Sequence, residues 1–290
     1  MHSSPPTVAF QGAPGAYSEQ AVRQHFGDSA QSVPCQSFAD IFDAVQNEHA
    51  LYGMLPVENS LAGTVIPAYD QLIDQDLRVI GEEIVHVQHC LMALPGTPLS
   101  EVRYARSHHQ ALAQTAKTLA RMGIEPIVYF DTAGAARDLA AEPVPHTAAI
   151  ASELAAHTYG LDILARDIQD VPGNYTRFFV LSREDRPYQP GANKTSVIFT
   201  TRHVPGALHA VLGELADRGI NLTKLESRPR RNRPWHYYFF VDFEGHEEQE
   251  TVREAMMSIL RHSSFLKVLG SYASAPIPSP LTPNKASKSP

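Results

Sequence analysis

Gly173-Asn174-Tyr175-Thr176-Arg177-Phe178-Phe179-Val180-Leu181 reads as a turn, a polar cluster and then an apolar run. The run from Phe178 to Leu181 has the character of a buried strand, and Pro172-Gly173-Asn174 is turn chemistry just before it. An amide, a hydroxyl and a guanidinium are therefore held at the mouth of a core element, where a small ligand can be gripped. For an arbitrary protein the plainer reading is a strand whose Thr176 fits the pleat and whose Arg177 pairs with a surface carboxylate. A second polar cluster changes that balance.

Gly53-Met54-Leu55-Pro56-Val57-Glu58-Asn59-Ser60-Leu61-Ala62-Gly63-Thr64-Val65 again runs from apolar residues into polar ones, with Gly63 allowing a tight turn before Thr64. Working outward from these two stretches, strand-like and helix-like segments alternate. Val8 to Phe10, Leu51 to Val57, Ile127 to Phe130 and Ala148 to Ile150 read as strands, and Leu77 to Leu94 as mostly extended. Ser18 to Phe26, Phe38 to Val45 with Ser37 as N-cap, Pro67 to Leu72, Gln110 to Met122 closing at Gly123, Thr132 to Leu139, and Ser152 to Tyr159 read as helices. This alternation predicts an α/β layer architecture, with ligands taken at strand ends.

Residues 183–194, with charges, two prolines and a glycine before Asn193, read as a linker. A βαββαβ pattern follows. Thr195 to Thr201 alternates as a strand, and Leu208, Val211, Leu212 and Leu215 line one face of a helix ended by Gly219. Asn221 to Arg228 is extended, Tyr237, Phe239, Val241 and Phe243 share one face of a strand, Val252 to Leu260 is helical, and Leu266 to Tyr272 closes the unit. Residues 274–290, rich in Pro, Ser and Lys, read as a disordered tail.

Bulk properties bound the function. The 290 residues are enough for more than one core. A net charge of −7 without a Lys/Arg block argues against nucleic acid. Cys35 and Cys90, far apart, give no disulfide framework or Cys-based metal pattern. No apolar run can span a bilayer, and Met1 to Pro6 lacks the regions of a signal peptide, so the expected setting is the cytoplasm. Gly12-Ala13-Pro14-Gly15 lacks the lysine of a phosphate loop. His86 with His89, and His108 with His109, form no convincing metal set and read as surface or supporting histidines.

The two polar clusters, with Phe10-Gln11-Gly12, Gly15-Ala16-Tyr17-Ser18, Ser107-His108-His109-Gln110, Gln114, Asp131-Thr132-Ala133 and Ala148 to Ser152 in the same order, resemble the prephenate dehydratase family. The resemblance runs from about Thr7 to Tyr272. His109 stands where many relatives carry proline, which alters the local loop and leaves its polar neighbours in place. After the linker, Gly206-Ala207-Leu208 and Glu226-Ser227-Arg228-Pro229 resemble an ACT domain, a regulatory module that binds amino acids. The resemblance implies residues 7–182 as a catalytic domain of two α/β subdomains, similar to periplasmic binding proteins, and residues 195–273 as a ferredoxin-like ACT domain. It leaves no segment for a fused chorismate mutase domain.

The implied reaction is the decarboxylating dehydration of prephenate to phenylpyruvate in L-phenylalanine biosynthesis, a lyase step that needs no metal or cofactor. Thr176 is implied as the catalytic hydroxyl. Glu58, Asn59, Ser60, Thr64, Ser107, Gln114, Thr132, Asn174, Arg177 and Phe178 are the substrate-binding candidates. Within that set Glu58 is awkward beside a dianion and reads better as an orienting group. Arg177 faces away from Thr176 in a regular strand, which favours an ion pair with protein. Gly206, Ala207, Leu208, Asn221, Leu222, Glu226, Ser227, Arg228 and Pro229 are implied to bind L-phenylalanine as allosteric effector, in a homodimer or tetramer. Arogenate dehydratase and a non-catalytic amino-acid sensor are the competing readings.

Overall fold

The structure, a computed structural model, describes residues 4–185, 188, 191–231 and 233–276. Contacts divide the chain into two units, chiefly Met1–Ala68 with Glu83–Phe178, and Tyr69–Glu82 with Phe179–Ala275.

The first unit opens with β1 (Thr7–Gln11), α1 (Tyr17–Phe26), β2 (Gln31–Cys35), α2 (Phe38–Gln46) and β3 (Tyr52–Asn59). β1 lies parallel to both β2 and β3. Val8, Ala9 and Phe10 of β1 and Met54, Leu55 and Val57 of β3 are fully buried, as apolar runs in a parallel sheet covered by helices should be. Ser37 and Asp40 form a reciprocal capping box that starts α2. β4 (Gly63–Thr64) folds back antiparallel on the end of β3 and leads into α3 (Ile66–Asp74) and β5 (Arg78–His86).

The chain then builds a second sheet from β6 (Cys90–Ala93), β7 (Tyr104–His108), β8 (Glu125–Tyr129), β9 (Thr147–Ala151) and β10 (Asp162–Ala165). α4 (His109–Met122), α5 (Thr132–Ala141) and α6 (Glu153–Tyr159) connect them, and Asp131 and Ser152 cap the last two. The strand order is β10-β6-β9-β7-β8. β11 (Tyr175–Ser182) returns to the first sheet, whose order is β2-β1-β3-β11-β5 with β4 beside β3. The two chain crossings between the sheets are tied together, Val87 N donating to Asn174 O at 2.8 Å and Ile168 N to His89 O at 3.0 Å.

The two α/β lobes also touch through the loop after β1. Ser152 Oγ donates to Gly15 O, and Tyr159 Oη donates to Pro14 O at 2.7 Å. Gly15 has φ +86°, and a Cβ there would lie 2.6 Å from Ala155 Cα, so both backbone angle and space demand glycine. The Gly12 to Gly15 segment is a lobe contact.

The second unit carries β12 (Lys194–Thr201), α7 (Ala207–Ala216), β13 (Leu222–Arg230), β14 (Arg233–Glu244), α8 (Glu250–His262) and β15 (Ser263–Tyr272). The sheet order β13-β14-β12-β15, antiparallel throughout, is the ferredoxin-like arrangement expected from the βαββαβ pattern. One face buries Val197, Phe199, Val211, Leu215, Val241, Phe243, Val252 and Ile259 with the two helices. The other face is covered within the unit by residues 69–82. Tyr69 of α3 meets Phe240 edge-on at 4.5 Å between centroids, and Lys194 Nζ lies 2.8 Å from Glu82 Oε1.

Several elements depart from the sequence reading. β2, β7 and β10 were not foreseen. The extended stretch Leu77 to Leu94 divides between the two sheets as β5 and β6. Lys194, assigned to the linker, begins β12. Ser274 and Ala275, expected to open a disordered tail, are tied down: Ser274 N donates to Asn193 Oδ1 at 3.0 Å and Ala275 N to Glu82 Oε1 at 2.9 Å. The rest of that tail, residues 277–290, and linker residues 186, 187, 189 and 190 lie outside the described residues.

Candidate active site

A cleft of about 610 Å³ lies within the first unit, a size suited to a small organic ligand. Its wall includes Asn59 and Thr64 around the β3–β4 turn, Gln114 on α4, Thr132 on α5, and Asn174 and Thr176 at the start of β11. Asn59 and Thr176, 117 positions apart, are thus brought to one surface because β3 and β11 are neighbours in the sheet.

One anchor sets the orientation of the polar network. Asn59 Oδ1 accepts backbone N–H groups from Leu61 at 3.1 Å and Ala62 at 2.9 Å. Its Nδ2 must then face the other way, donating to Asn174 Oδ1 at 2.7 Å and Thr176 Oγ1 at 3.0 Å. With Asn174 Oδ1 occupied, Asn174 Nδ2 donates to Gln114 Oε1 at 2.9 Å. Gln114 Oε1 is consequently an acceptor, and the His89 Nε2 facing it at 2.8 Å carries the proton. Burial pushes the His89 imidazole below its usual range, with the Gln114 hydrogen bond opposing, so the ring is neutral with Nδ1 toward the Tyr17 hydroxyl at 2.8 Å. Tyr17 itself is pushed upward, first by burial and then by Cys90, and keeps its proton. Asn174 and His89 are 1% and 2% exposed, so this network is fixed before any ligand arrives.

Thr176 Oγ1 accepts a hydrogen bond from Asn59 Nδ2, and among the described residues no protein acceptor receives its own O–H. A neutral hydroxyl donor is thereby presented to the cleft. The wall contains no Asp, Glu, Lys or Arg among the described residues. In place of formal charge it gathers helix beginnings: Tyr17, Ile66, His109 and Thr132 are the first residues of α1, α3, α4 and α5, and each lines the cleft. Helix N-termini present unpaired N–H groups and the positive end of the backbone dipole.

Other candidates fall elsewhere. Ser107, expected as a ligand donor, is fully buried and spends its hydroxyl on Ile150 O at 2.6 Å, because it faces the interior of the second sheet. Phe178 is 1% exposed and belongs to the core of β11. Ser60 straps the two polar segments, its Oγ donating to Gly173 O at 3.1 Å and accepting from Tyr175 N at 2.9 Å. Glu58 and Arg177 pair across β3 and β11, with Arg177 Nη2 2.9 Å from Glu58 Oε2, the ion pair with protein that strand alternation favours. Tyr17, His89, His108 and His109 also line the cleft and were left out of the candidate set. Tyr17, His108 and His109 lie within the motifs that carry the family resemblance, and that position is the signal that marks them; His89 lies outside those motifs, and its spacing from His86 speaks only to metal binding. Among the described residues no cluster of three or more His, Cys, Asp or Glu is arranged to hold a metal ion.

In the second unit, Gly206 at φ +77° precedes α7, whose first turn has no side-chain cap. Ala207 and Leu208 form that turn. Asn221 Nδ2 donates to Glu244 Oε1 at 3.1 Å, and Leu222 packs against the core. Glu226, Ser227, Arg228 and Pro229 lie on β13, an edge strand. Arg228 is engaged by protein: its Nε donates to Asp70 Oδ1 at 2.8 Å, and Arg231 shares the same carboxylate at 2.6 Å.

The fold and cleft define a two-lobed α/β protein with a cleft lined by neutral polar groups, and a ferredoxin-like module. Residues 8–186 match the prephenate dehydratase family and residues 195–261 the ACT domain. The chain belongs to the prephenate dehydratase family. It is 43% identical over 277 residues to arogenate dehydratase/prephenate dehydratase 2, chloroplastic, of Arabidopsis thaliana, covering 91% of this chain and 72% of that one. Among solved structures, prephenate dehydratase in complex with L-Phe from Arthrobacter aurescens is 34% identical with a TM-score of 0.84, covering 92% of this chain and 89% of that one. GqqA, described as a novel type of quorum-quenching acylase, is 38% identical with a TM-score of 0.86, covering 93% and 98%. No helix among the described residues is long and apolar enough to cross a membrane.

Proposed function

We propose that the chain converts prephenate to phenylpyruvate and is inhibited by L-phenylalanine through its ACT domain. The observation that carries this reading is the Thr176 hydroxyl, oriented by Asn59 and left with a proton to donate into a cleft of neutral groups. In the reaction the bond between the ring and its carboxylate breaks and releases carbon dioxide. The electron pair moves through the ring diene and expels the para hydroxyl, which takes up a proton and leaves as water. The ring becomes aromatic, and the dianion with one proton gives phenylpyruvate monoanion, carbon dioxide and water.

The protein's tasks are to orient a dianion and to stabilise oxygen as it departs. A donor aimed at that oxygen acts where charge develops, which accelerates the step instead of merely tightening binding. Asn59 polarises Thr176 by donating to its oxygen. The helix beginnings around the wall suit the carboxylates without a lysine or arginine to trap them.

The same wall favours prephenate over arogenate. Arogenate carries an ammonium where prephenate carries a ketone, and no carboxylate among the described residues of the wall is there to receive it. The acylase chemistry described for GqqA calls for a nucleophile beside a base. His89 instead lies buried between Tyr17 and Gln114, and Thr176 faces an amide donor, so we favour dehydration.

For regulation, support comes from the ACT match, from the uncapped first turn of α7 as a carboxylate site, and from the Phe-bound Arthrobacter relative. Assembly as a dimer or tetramer completes this proposal, with two ACT domains sharing the effector. We place the protein in the cytoplasm, where free Cys35 and Cys90 stay reduced. Turnover of prephenate and arogenate, each with and without phenylalanine, tests the reading. Expected are a kcat/KM at least about tenfold higher for prephenate, the scale of one unpaired buried polar group, and a loss of rate with millimolar phenylalanine. Equal use of both substrates, or indifference to phenylalanine, would count against the corresponding part.

A further inference from the structure

Among the described residues, three histidines line the cleft wall: His89, His108 and His109. Two are committed elsewhere. His89 is held neutral between Tyr17 and Gln114. His108 ends β7 as the N-cap of α4, its Nδ1 accepting from Gln110 N at 3.4 Å, a role that needs an unprotonated nitrogen. Burial and then the neighbouring His109 push the His108 imidazole below its usual range, with Asp131 opposing.

His109 is different. It is the first residue of the 14-residue α4, it is exposed, and its ring lies 4.1 Å from that of His108 while making no hydrogen bond among the described residues. It therefore stands at the positive end of a helix, on the wall of the cleft, with its ring nitrogens available to a ligand. Asp131 acts on His108 at this same end of the helix. Asp131 is itself occupied, accepting from Gly134 N at 2.9 Å and Ala13 N at 3.4 Å.

We infer that His109 is a substrate-binding residue whose ring N–H donates to a carboxylate of the substrate. The inference rests on the prephenate reading, which supplies the dianion. The interaction adds to the N–H groups of α4 and leaves the leaving-group side at Thr176 untouched, so its effect falls on KM and not on kcat.

Steady-state kinetics with prephenate, on the full chain and on the His109→Ala and His109→Gln variants, test it. His109→Ala should raise KM about three- to tenfold, the worth of one hydrogen bond, and His109→Gln, which keeps an N–H donor, should raise it less, with kcat within about twofold in all three. An unchanged KM in His109→Ala, or a fall in kcat with no change in KM, overturns the role of His109 while leaving the dehydratase reading intact. Absence of phenylpyruvate formation by the unaltered protein overturns the dehydratase reading, and this inference with it.

Discussion

Asn59 shows how one side chain can organise a site from a distance. Two backbone N–H groups fix its amide, and that choice propagates through Asn174 and Gln114 until it settles which nitrogen of His89 bears the proton. The neutrality of His89 has a consequence for stability. Its imidazole resists protonation in the folded state, chiefly through burial, whereas in the unfolded chain an imidazole takes a proton near about pH 6.5. The unfolded state thus binds more protons between the depressed folded value and about 6.5, so stability is full above that window and falls as pH drops through it. We expect the urea midpoint to fall between about pH 7.5 and pH 5.5, and His89→Gln to lose less over the same interval, with His108 responsible for part of the remaining slope. An undiminished slope in His89→Gln would show that the ring does not titrate in this way.

At the scale of elements, β15 meets the start of β5 with no room for a side chain at Gly270. A Cβ on Gly270 would lie 2.0 Å from Val79 O, so Gly270→Ala forces backbone apart. A destabilisation of about 1–3 kcal/mol, read as a lowered denaturation midpoint, is expected; an unchanged midpoint would mean that the strands part freely there. The elements also show what the sequence could and could not disclose. β1, β3 and β11 were legible because central strands buried on both faces read as apolar runs. β2 was hidden because Gln31-Ser32-Val33-Pro34-Cys35 has no such run, and its proline is tolerated only because β2 is the edge of its sheet. β7 was hidden by its polar end, Ser107-His108. In the site, the motifs that carry the family resemblance marked Asn59, Asn174, Gln114 and Thr176, while only the topology could say that they touch. Ser107 was misread for the same reason: its chemistry suggested a ligand, and its strand turns it inward to Ile150.

Over the whole molecule, the first unit supplies a cleft in which helix beginnings and amides replace formal charge, and the second supplies a ferredoxin-like module with an uncapped helix turn. The division of labour suits an anionic substrate and an amino-acid effector. A cleft without lysine or arginine among the described residues of its wall binds a dianion through helix dipoles and side-chain donors, which leaves more of the available interaction for the departing oxygen. Thr176 is therefore the decisive group to test. The most direct measurement is phenylpyruvate formation from prephenate by the unaltered chain and by Thr176→Ala, with folding and substrate binding checked in the variant. We predict turnover by the former and a kcat lower by about 10²- to 10³-fold in the latter, the scale for one lost transition-state donor. Near-normal turnover by a folded, substrate-binding Thr176→Ala, or none by the unaltered chain, would contradict it.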